Sequence, residues 1–190
     1  YEYYDNGMLK KVEWKNRDFT TMAAENYEYD AHLNKTKIID PLGRITSMTY
    51  DGNDRLTGIN YPDGTVIKYV YDANGNLTSV QDRKGNTTSY GYDSLNRMKT
   101  VSSPGKGTVI KNYSDNNLLT EIQKPEGGEI IKYEYYANKR LKSTAFPDPQ
   151  KKVVNFYDGA GNIIKVRDGN IIIEYERDDT GRPKKIKYPS

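Results

Sequence analysis

Cysteine is absent from the 190-residue chain. There is therefore no thiol nucleophile, disulfide frame or zinc–thiolate site. Histidine occurs once, at His32, leaving no second imidazole for a His-pair metal site or proton relay. Long apolar runs are missing too. The longest aliphatic stretches, such as Ile171-Ile172-Ile173, fall far short of the ~20 residues that cross a bilayer. Charge of one sign is also lacking: 29 Lys and Arg against 26 Asp and Glu leave +3, too little to imply nucleic acid or an anionic membrane as partner. Hydrophobic residues reach only 35% against a usual ~45–50% that includes Gly, which counts against compact globular burial.

Tyrosine is present in excess. The 18 Tyr accompany only three Phe and one Trp, and disordered polar segments are poor in aromatics. The tyrosines mark a repeat. Tyr71-Asp72-Ala73-Asn74-Gly75-Asn76-Leu77 is its cleanest copy, followed closely by Tyr50–Leu56, Tyr92–Met98 and Tyr157–Ile163. Weaker copies start at Tyr3, Tyr29, Tyr113 and Tyr135, and a degenerate ninth runs from Arg177 to Pro183. The anchors lie 20 to 22 residues apart except for a first interval of 26. That interval contains Asn16 to Asn26, which reads as a loop or insertion. Self-similarity at fixed spacing is the signature of a repeat array.

Each copy reads as a β-hairpin. Val66-Ile67-Lys68-Tyr69-Val70-Tyr71 is rich in β-branched and aromatic residues, and alternation puts both Tyr on one face. Asp opening the turn and Gly near its end suit a type I turn closed by a left-handed residue. A second set of turns joins the hairpins: Pro41-Leu42-Gly43, Pro62-Asp63-Gly64, Pro104-Gly105 and Pro125-Glu126-Gly127. In the return strand Leu77 and Val80 are three apart, so either a bulge intervenes or both faces are partly covered. Eighteen strands at ~4.8 Å make a ribbon roughly 86 Å wide, expected to curl. Equivalent Tyr are expected to stack in columns, giving a wall held by neighbour contacts.

The Tyr-Asp-x-x-Gly-Arg-Leu units followed by Pro-x-Gly turns resemble the YD repeats of rearrangement-hotspot (RHS) proteins and teneurins, from Tyr1 to Tyr188. The resemblance implies a β-ribbon that spirals into a hollow shell. In bacterial members, including the BC component of Tc toxins, such a shell encloses or presents a C-terminal toxic domain. In teneurins it belongs to an extracellular adhesion protein. Some bacterial shells close with a segment that cleaves itself near an Asp-Pro-x-Gly sequence. Asp40-Pro41-Leu42-Gly43 matches in letters, but it sits at an inter-hairpin turn near the start of the array.

Other candidates have simpler readings. Asp72-x-Asn74-x-Asn76 alternates oxygens as a calcium loop does, yet the closing Glu is missing and Arg83 stands there. Asp178-Asp179 replaces turn residues of the last copy, and His32 falls at a variable turn position. Arg182-Pro183-Lys184-Lys185-Ile186-Lys187 suits a solvated strand edge better than a polyanion site. Four acceptor patterns for glycosylation begin at Asn34, Asn76, Asn86 and Asn112, as chance allows in a turn-rich chain.

The expectation is therefore an all-β fold, with residues 1–190 forming one YD/RHS array of about nine tandem hairpins in a curved or spiralling antiparallel sheet. The chain starts inside a repeated motif and reads as a piece of a longer polypeptide. The expected function is non-catalytic. The array would form part of the wall of a secreted or cell-surface bacterial shell that encapsulates or presents a toxin domain of the same polypeptide. The alternative is adhesion to surface glycans through exposed Tyr and Lys. No catalytic, cofactor-binding or metal-binding residue is expected, nor any nucleic-acid partner or membrane span.

Overall fold

The computed structural model describes residues 1–125 and 128–188. Among them the regular structure is entirely β, with eighteen strands and no helix, hence none long and apolar enough to cross a membrane. The chain divides into two compact units, Tyr1–Gly91 and Tyr92–Ser190. The first holds β1 (Glu2–Tyr3), β2 (Leu9–Lys15), β3 (Thr21–Tyr29), β4 (Lys35–Ile39), β5 (Ile45–Tyr50), β6 (Leu56–Asn60), β7 (Val66–Tyr71), β8 (Leu77–Gln81) and β9 (Thr87–Tyr92), which ends one residue past the boundary. The second holds β10 (Met98–Ser103), β11 (Gly107–Tyr113), β12 (Leu119–Gln123), β13 (Ile130–Tyr135), β14 (Leu141–Ala145), β15 (Lys152–Tyr157), β16 (Ile163–Asp168), β17 (Ile171–Arg177) and β18 (Pro183–Lys187). Within each unit the strands pair antiparallel in chain order.

The Tyr-Asp turns share one geometry. In the copy at Tyr71, the Asp72 amide donates to the Asn76 carbonyl at 2.9 Å, and the Gly75 amide donates to the Asp72 carbonyl at 3.1 Å. Asp72 Oδ1 accepts from the amides of Asn74 at 2.9 Å and Asn76 at 2.8 Å. One carboxylate thus satisfies two turn donors, which is why Asp opens the motif. The fourth residue is left-handed, as at Gly75 with φ 87°. Asp54 and Asn96 fill that place at φ 59°, Leu33 at 69° and Lys139 at 66°, each at a cost of about 1 kcal/mol. The joining turns opened by Asp40, Tyr61 and Asp82 use the same bonds. In the expected Pro125-Glu126-Gly127 turn, residues 126 and 127 lie outside the described residues.

A bulge resolves the spacing of Leu77 and Val80. Tyr69 pairs with Val80 and Val70 with Ser79, but Tyr71 pairs with Leu77, so Thr78 is the extra residue. Leu77 and Val80 therefore share the Tyr face. The same slip recurs at β3–β4, β5–β6, β11–β12, β13–β14, β15–β16 and β17–β18. At Thr78 and Thr120 the bulged side chain bonds back, donating to the carbonyls of Val70 and Asn112 at 3.1 Å.

The stretch Asn16 to Asn26 is not an insertion in a loop. It holds a turn around Asn16–Thr20 and then most of β3, paired with β2 from Lys11–Asn26 to Lys15–Thr21. The long first interval comes from strands of seven and nine residues. The period was lengthened in the ladder, where Ala23, Ala24 and Glu25, weak in strand propensity, concealed a strand.

No deep core forms. Among the described residues only Val154, at 8% exposure, Ser143, at 1%, and Gly58 are buried. The accessible surface is 13069 Å², whereas two compact units of half the mass would expose together about 11,000 Å². Among the described residues the strand contacts join only sequence neighbours. Each unit is a single layer.

Candidate functional site: clasps between successive hairpins

The bulge creates the feature that couples one hairpin to the next. Ladder pairing between β6 and β7 begins at Gly58–Lys68, two residues after β6 starts at Leu56. The Leu56 carbonyl is thus left without a ladder partner, and a polar group near the sheet needs one. The Tyr71 hydroxyl donates to it at 3.0 Å. The arrangement repeats from Tyr50 to Lys35 at 2.8 Å, Tyr113 to Met98 at 2.8 Å, Tyr135 to Leu119 at 2.8 Å and Tyr157 to Leu141 at 2.9 Å. Tyr is the side chain that can both fill the splay with its ring and deliver a donor from the far end.

A second clasp comes from the residue four after the turn opener. Arg55 Nε donates to Asp51 Oδ2 at 2.7 Å, and its Nη1 reaches the Asp72 carbonyl of the next turn at 3.3 Å. Its guanidinium lies over the Tyr71 ring, 4.7 Å from the centroid. Arg97 repeats the pattern with Asp93, the Ser114 carbonyl and the Tyr113 ring, and adds a bond to Asn117 Oδ1 at 2.7 Å. Burial pushes the Asp51 and Asp93 carboxyls up, but the backbone and guanidinium donors of Arg55 and Arg97 outweigh it and hold both below the ordinary range. The expected columns of stacked Tyr are therefore corrected: cations cover the anchor rings of Tyr71 and Tyr113, because a guanidinium on a ring face is favourable where face-to-face rings are not. The described ring pairs, Tyr4–Tyr29 and Tyr136–Tyr157, meet edge to face.

Degenerate copies keep the clasp with other chemistry. Arg177 stands at the anchor position of the ninth copy and donates through Nη2 to the Ile163 carbonyl at 2.9 Å, the bond that Tyr157 makes to Leu141. Its Nη1 also holds the Gly181 carbonyl at 2.8 Å. Tyr4 and Tyr136 replace the opening Asp, and their hydroxyls donate to the carbonyls of Tyr27 at 3.0 Å and Asn155 at 2.9 Å. In the second copy Asn34 and His32 act together on Asp54 Oδ1 of the following turn, at 2.7 Å and 2.8 Å. His32 is exposed as expected, at 65%. The Asp54 hydrogen bond and charge raise its pKa above the ordinary 6.5. None of these substitutes could be picked from sequence, since each is recognised only by the carbonyl it reaches.

The remaining candidates are occupied by the turns. Asp72 Oδ2 accepts from Asn76 Nδ2 at 2.9 Å, and its carboxyl is lowered first by that amide. Asp40 accepts from the amides of Leu42 and Arg44 at 2.9 Å and from Arg44 Nε at 2.7 Å. Asp178 accepts from the Thr180 hydroxyl at 2.6 Å and the Arg182 amide at 2.9 Å, while Asp179 is exposed. The side-chain amides at the glycosylation patterns are donors to carboxylates: Asn34 to Asp54, Asn76 to Asp72, Asn86 to Asp82 and Asn112 to Glu121. In the basic run, Lys185 and Lys187 face Glu176 and Glu174 across β17, and Ile186 faces Tyr175. All five residues of β18 are exposed. Among the described residues no group of three or more His, Cys, Asp or Glu is gathered as a metal site would require.

Known proteins match this geometry. A family model described as the teneurin YD-shell matches residues 2–156. The crystal structure of TcdB2-TccC3-TEV matches with a TM-score of 0.71 and 14% identity over 99% of this chain and 12% of that one. TcdB2-TccC3 without its hypervariable C-terminal region matches at TM-score 0.68 and 15% identity, over 98% of this chain and 12% of that one. The Photorhabdus luminescens Tc holotoxin pore gives 0.68 and 15%, over 96% and 12%. No curated protein matches the sequence. The chain thus spans 12% of each of these solved chains, and at such identities the likeness concerns the fold. The family match covers most of the chain, so this is an RHS/YD-repeat protein that belongs to the teneurin YD-shell family as a segment of such a shell.

Proposed function

We propose that residues 1–190 act as one array of about nine hairpins in the wall of a shell, in a secreted or cell-surface bacterial protein, and that the shell encapsulates or presents a toxin domain of the same polypeptide. The observation that carries this reading is the clasp. A sheet whose strands contact only their sequence neighbours, closed at bulges from Lys35 to Ile163 by a Tyr or Arg from the next hairpin, extends by adding copies without any deeper core. Its work is steric. The Asp, Arg and Tyr groups named above are committed to holding the turns and successive hairpins together, which supports a non-catalytic segment. The rival adhesion reading needs free Tyr faces, whereas the Tyr71 and Tyr113 rings are covered by arginines and their hydroxyls are bonded to carbonyls.

The test is the intact mass of the native polypeptide, with its flanking peptides mapped by mass spectrometry. Many more YD repeats followed by an unrelated C-terminal domain is the expected result. A native chain ending near Ser190 would overturn the proposal.

A further inference from the structure

On the edge opposite the Tyr-Asp turns, the second unit sets a long connection beside a very short one. Between β14 and β15 the chain runs Phe146-Pro147-Asp148-Pro149-Gln150-Lys151, and between β16 and β17 it turns on Gly169 and Asn170 alone. The two loops touch. The Gly169 amide donates to the Lys152 carbonyl at 3.4 Å, and a side-chain carbon on Gly169 would lie 3.0 Å from the Gln150 carbonyl oxygen. Beside this contact lies an open depression of about 510 Å³, lined among others by Gln150, Lys152, Val154, Arg167 and Asn170.

Register puts two cations on one side of it. Val154 pairs with Arg167, and Lys152, two along from Val154, faces the same way, diagonal to Arg167. Asp168 pairs with Val153 and faces the opposite side, where it lines a separate depression with Asp148. Lys152 has one carboxylate neighbour, Glu134, at 3.3 Å, and Glu134 also accepts from the buried Ser143 hydroxyl at 2.9 Å. Arg167 differs from the arginines of the clasps. Arg44, Arg55, Arg83, Arg97, Arg140 and Arg177 each donate to a carboxylate or carbonyl. Among the described residues the guanidinium groups of Arg167, Arg17 and Arg182 make no such bond, and of these three Arg167 lines this depression beside a second cation. An uncommitted planar fork beside a second cation, in a concavity with amide side chains on its rim and no carboxylate in its lining, has the chemistry to receive an oxyanion.

We propose that this depression is a binding site for a single oxyanion, a phosphate, sulfate or carboxylate group, gripped by Arg167 in two-pronged fashion and by Lys152. The probes are inorganic phosphate and acetate, added to the full chain at low and matched ionic strength. The readout is the side-chain NMR signals of Arg167 and Lys152. Saturable shifts with a Kd on the order of 1 mM for either probe are expected, and the probe that saturates identifies the group as tetrahedral or carboxylate. Arg167→Gln should weaken binding at least tenfold, whereas Arg182→Gln, the same charge change at another exposed arginine, should leave it within twofold. Shifts that fail to saturate with both probes, or that weaken equally in the two variants, would overturn the site.

Discussion

The two units build the same wall from different materials. Unit one holds the regular copies at Tyr50 and Tyr71, spaced by 21 residues, and 11 Lys and Arg against 13 Asp and Glu. Unit two carries 18 against 13 and holds the regular copies at Tyr92 and Tyr157. A Tyr replaces the opening Asp of one copy in each unit, at Tyr4 and Tyr136, but only in unit two does an Arg, Arg177, replace the anchor Tyr, and the loop from Phe146 to Lys151 has no counterpart in unit one. Yet the carbonyl that follows a Tyr-Asp turn finds its donor in both units, from Tyr71 in the first and from Tyr157 and Arg177 in the second. The comparison shows that the repeat conserves a geometric requirement, the donor to a splayed carbonyl, and that the residue meeting it can change. Unit two's surplus of positive charge includes Arg167, whose guanidinium has no carboxylate or carbonyl partner among the described residues.

The comparison can be broken first at the rings. Tyr71→Ala and Tyr157→Ala each remove a half-buried ring and its hydroxyl. Each should lower stability by about 2–3 kcal/mol in urea denaturation, below the ~3–5 kcal/mol of aromatic truncation in cores because the rings are only half-buried. If the units are equivalent in mechanism, the two losses agree. A smaller cut sharpens the point. Tyr71→Phe should lose about 1 kcal/mol, the worth of one net hydrogen bond, and Arg177→Met should lose a similar amount through the same kind of bond. A null effect for Arg177→Met alone would mean that the last copy does not depend on its clasp.

Titration separates the units further. In unit one the Glu25 carboxylate bonded to the Tyr27 phenol, with burial, pushes that phenol up to about 12, and burial raises Tyr29 and Tyr50. In unit two Tyr135 is raised by burial and by Tyr133. A raised phenol contributes stability that is whole below its ordinary value of 10.0 and is lost as pH climbs through the folded value. Unfolding on the alkaline side should therefore set in between pH 10 and about 12, with tyrosinate absorbance rising together with loss of the β circular-dichroism signal. The smallest effect is at His32, present only in unit one. Its raised pKa means that its bond to Asp54 is strongest at acidic pH and fades as pH rises through the folded value. Asp54→Asn should return the His32 NMR titration toward the ordinary 6.5.

Much of this architecture was legible in the residues because turns and alternation are local. Asp72 and Gly75 announced a turn, whereas the misfit of Leu77 and Val80 with flat alternation allowed either a bulge or two covered faces, and only the ladder decides for the bulge. The clasps were not legible. Whether Tyr71 faces water or a carbonyl depends on the ladder between β6 and β7 starting two residues late, a relation between Leu56 and Tyr71, fifteen residues apart. Arg177 resembled a lost anchor for the same reason. The length of β3 was hidden because Ala23, Ala24 and Glu25 carry weak strand propensity and are held in place by pairing with β2.

The central claim is that stability passes from neighbour to neighbour through these clasps. Native-state hydrogen exchange of Tyr71→Ala tests it most directly. The account predicts faster exchange confined to amides of β6, β7 and β8, with those of β15 to β18 unchanged. Equal acceleration along the whole chain would contradict it, showing that the fold depends on a shared core and not on successive links.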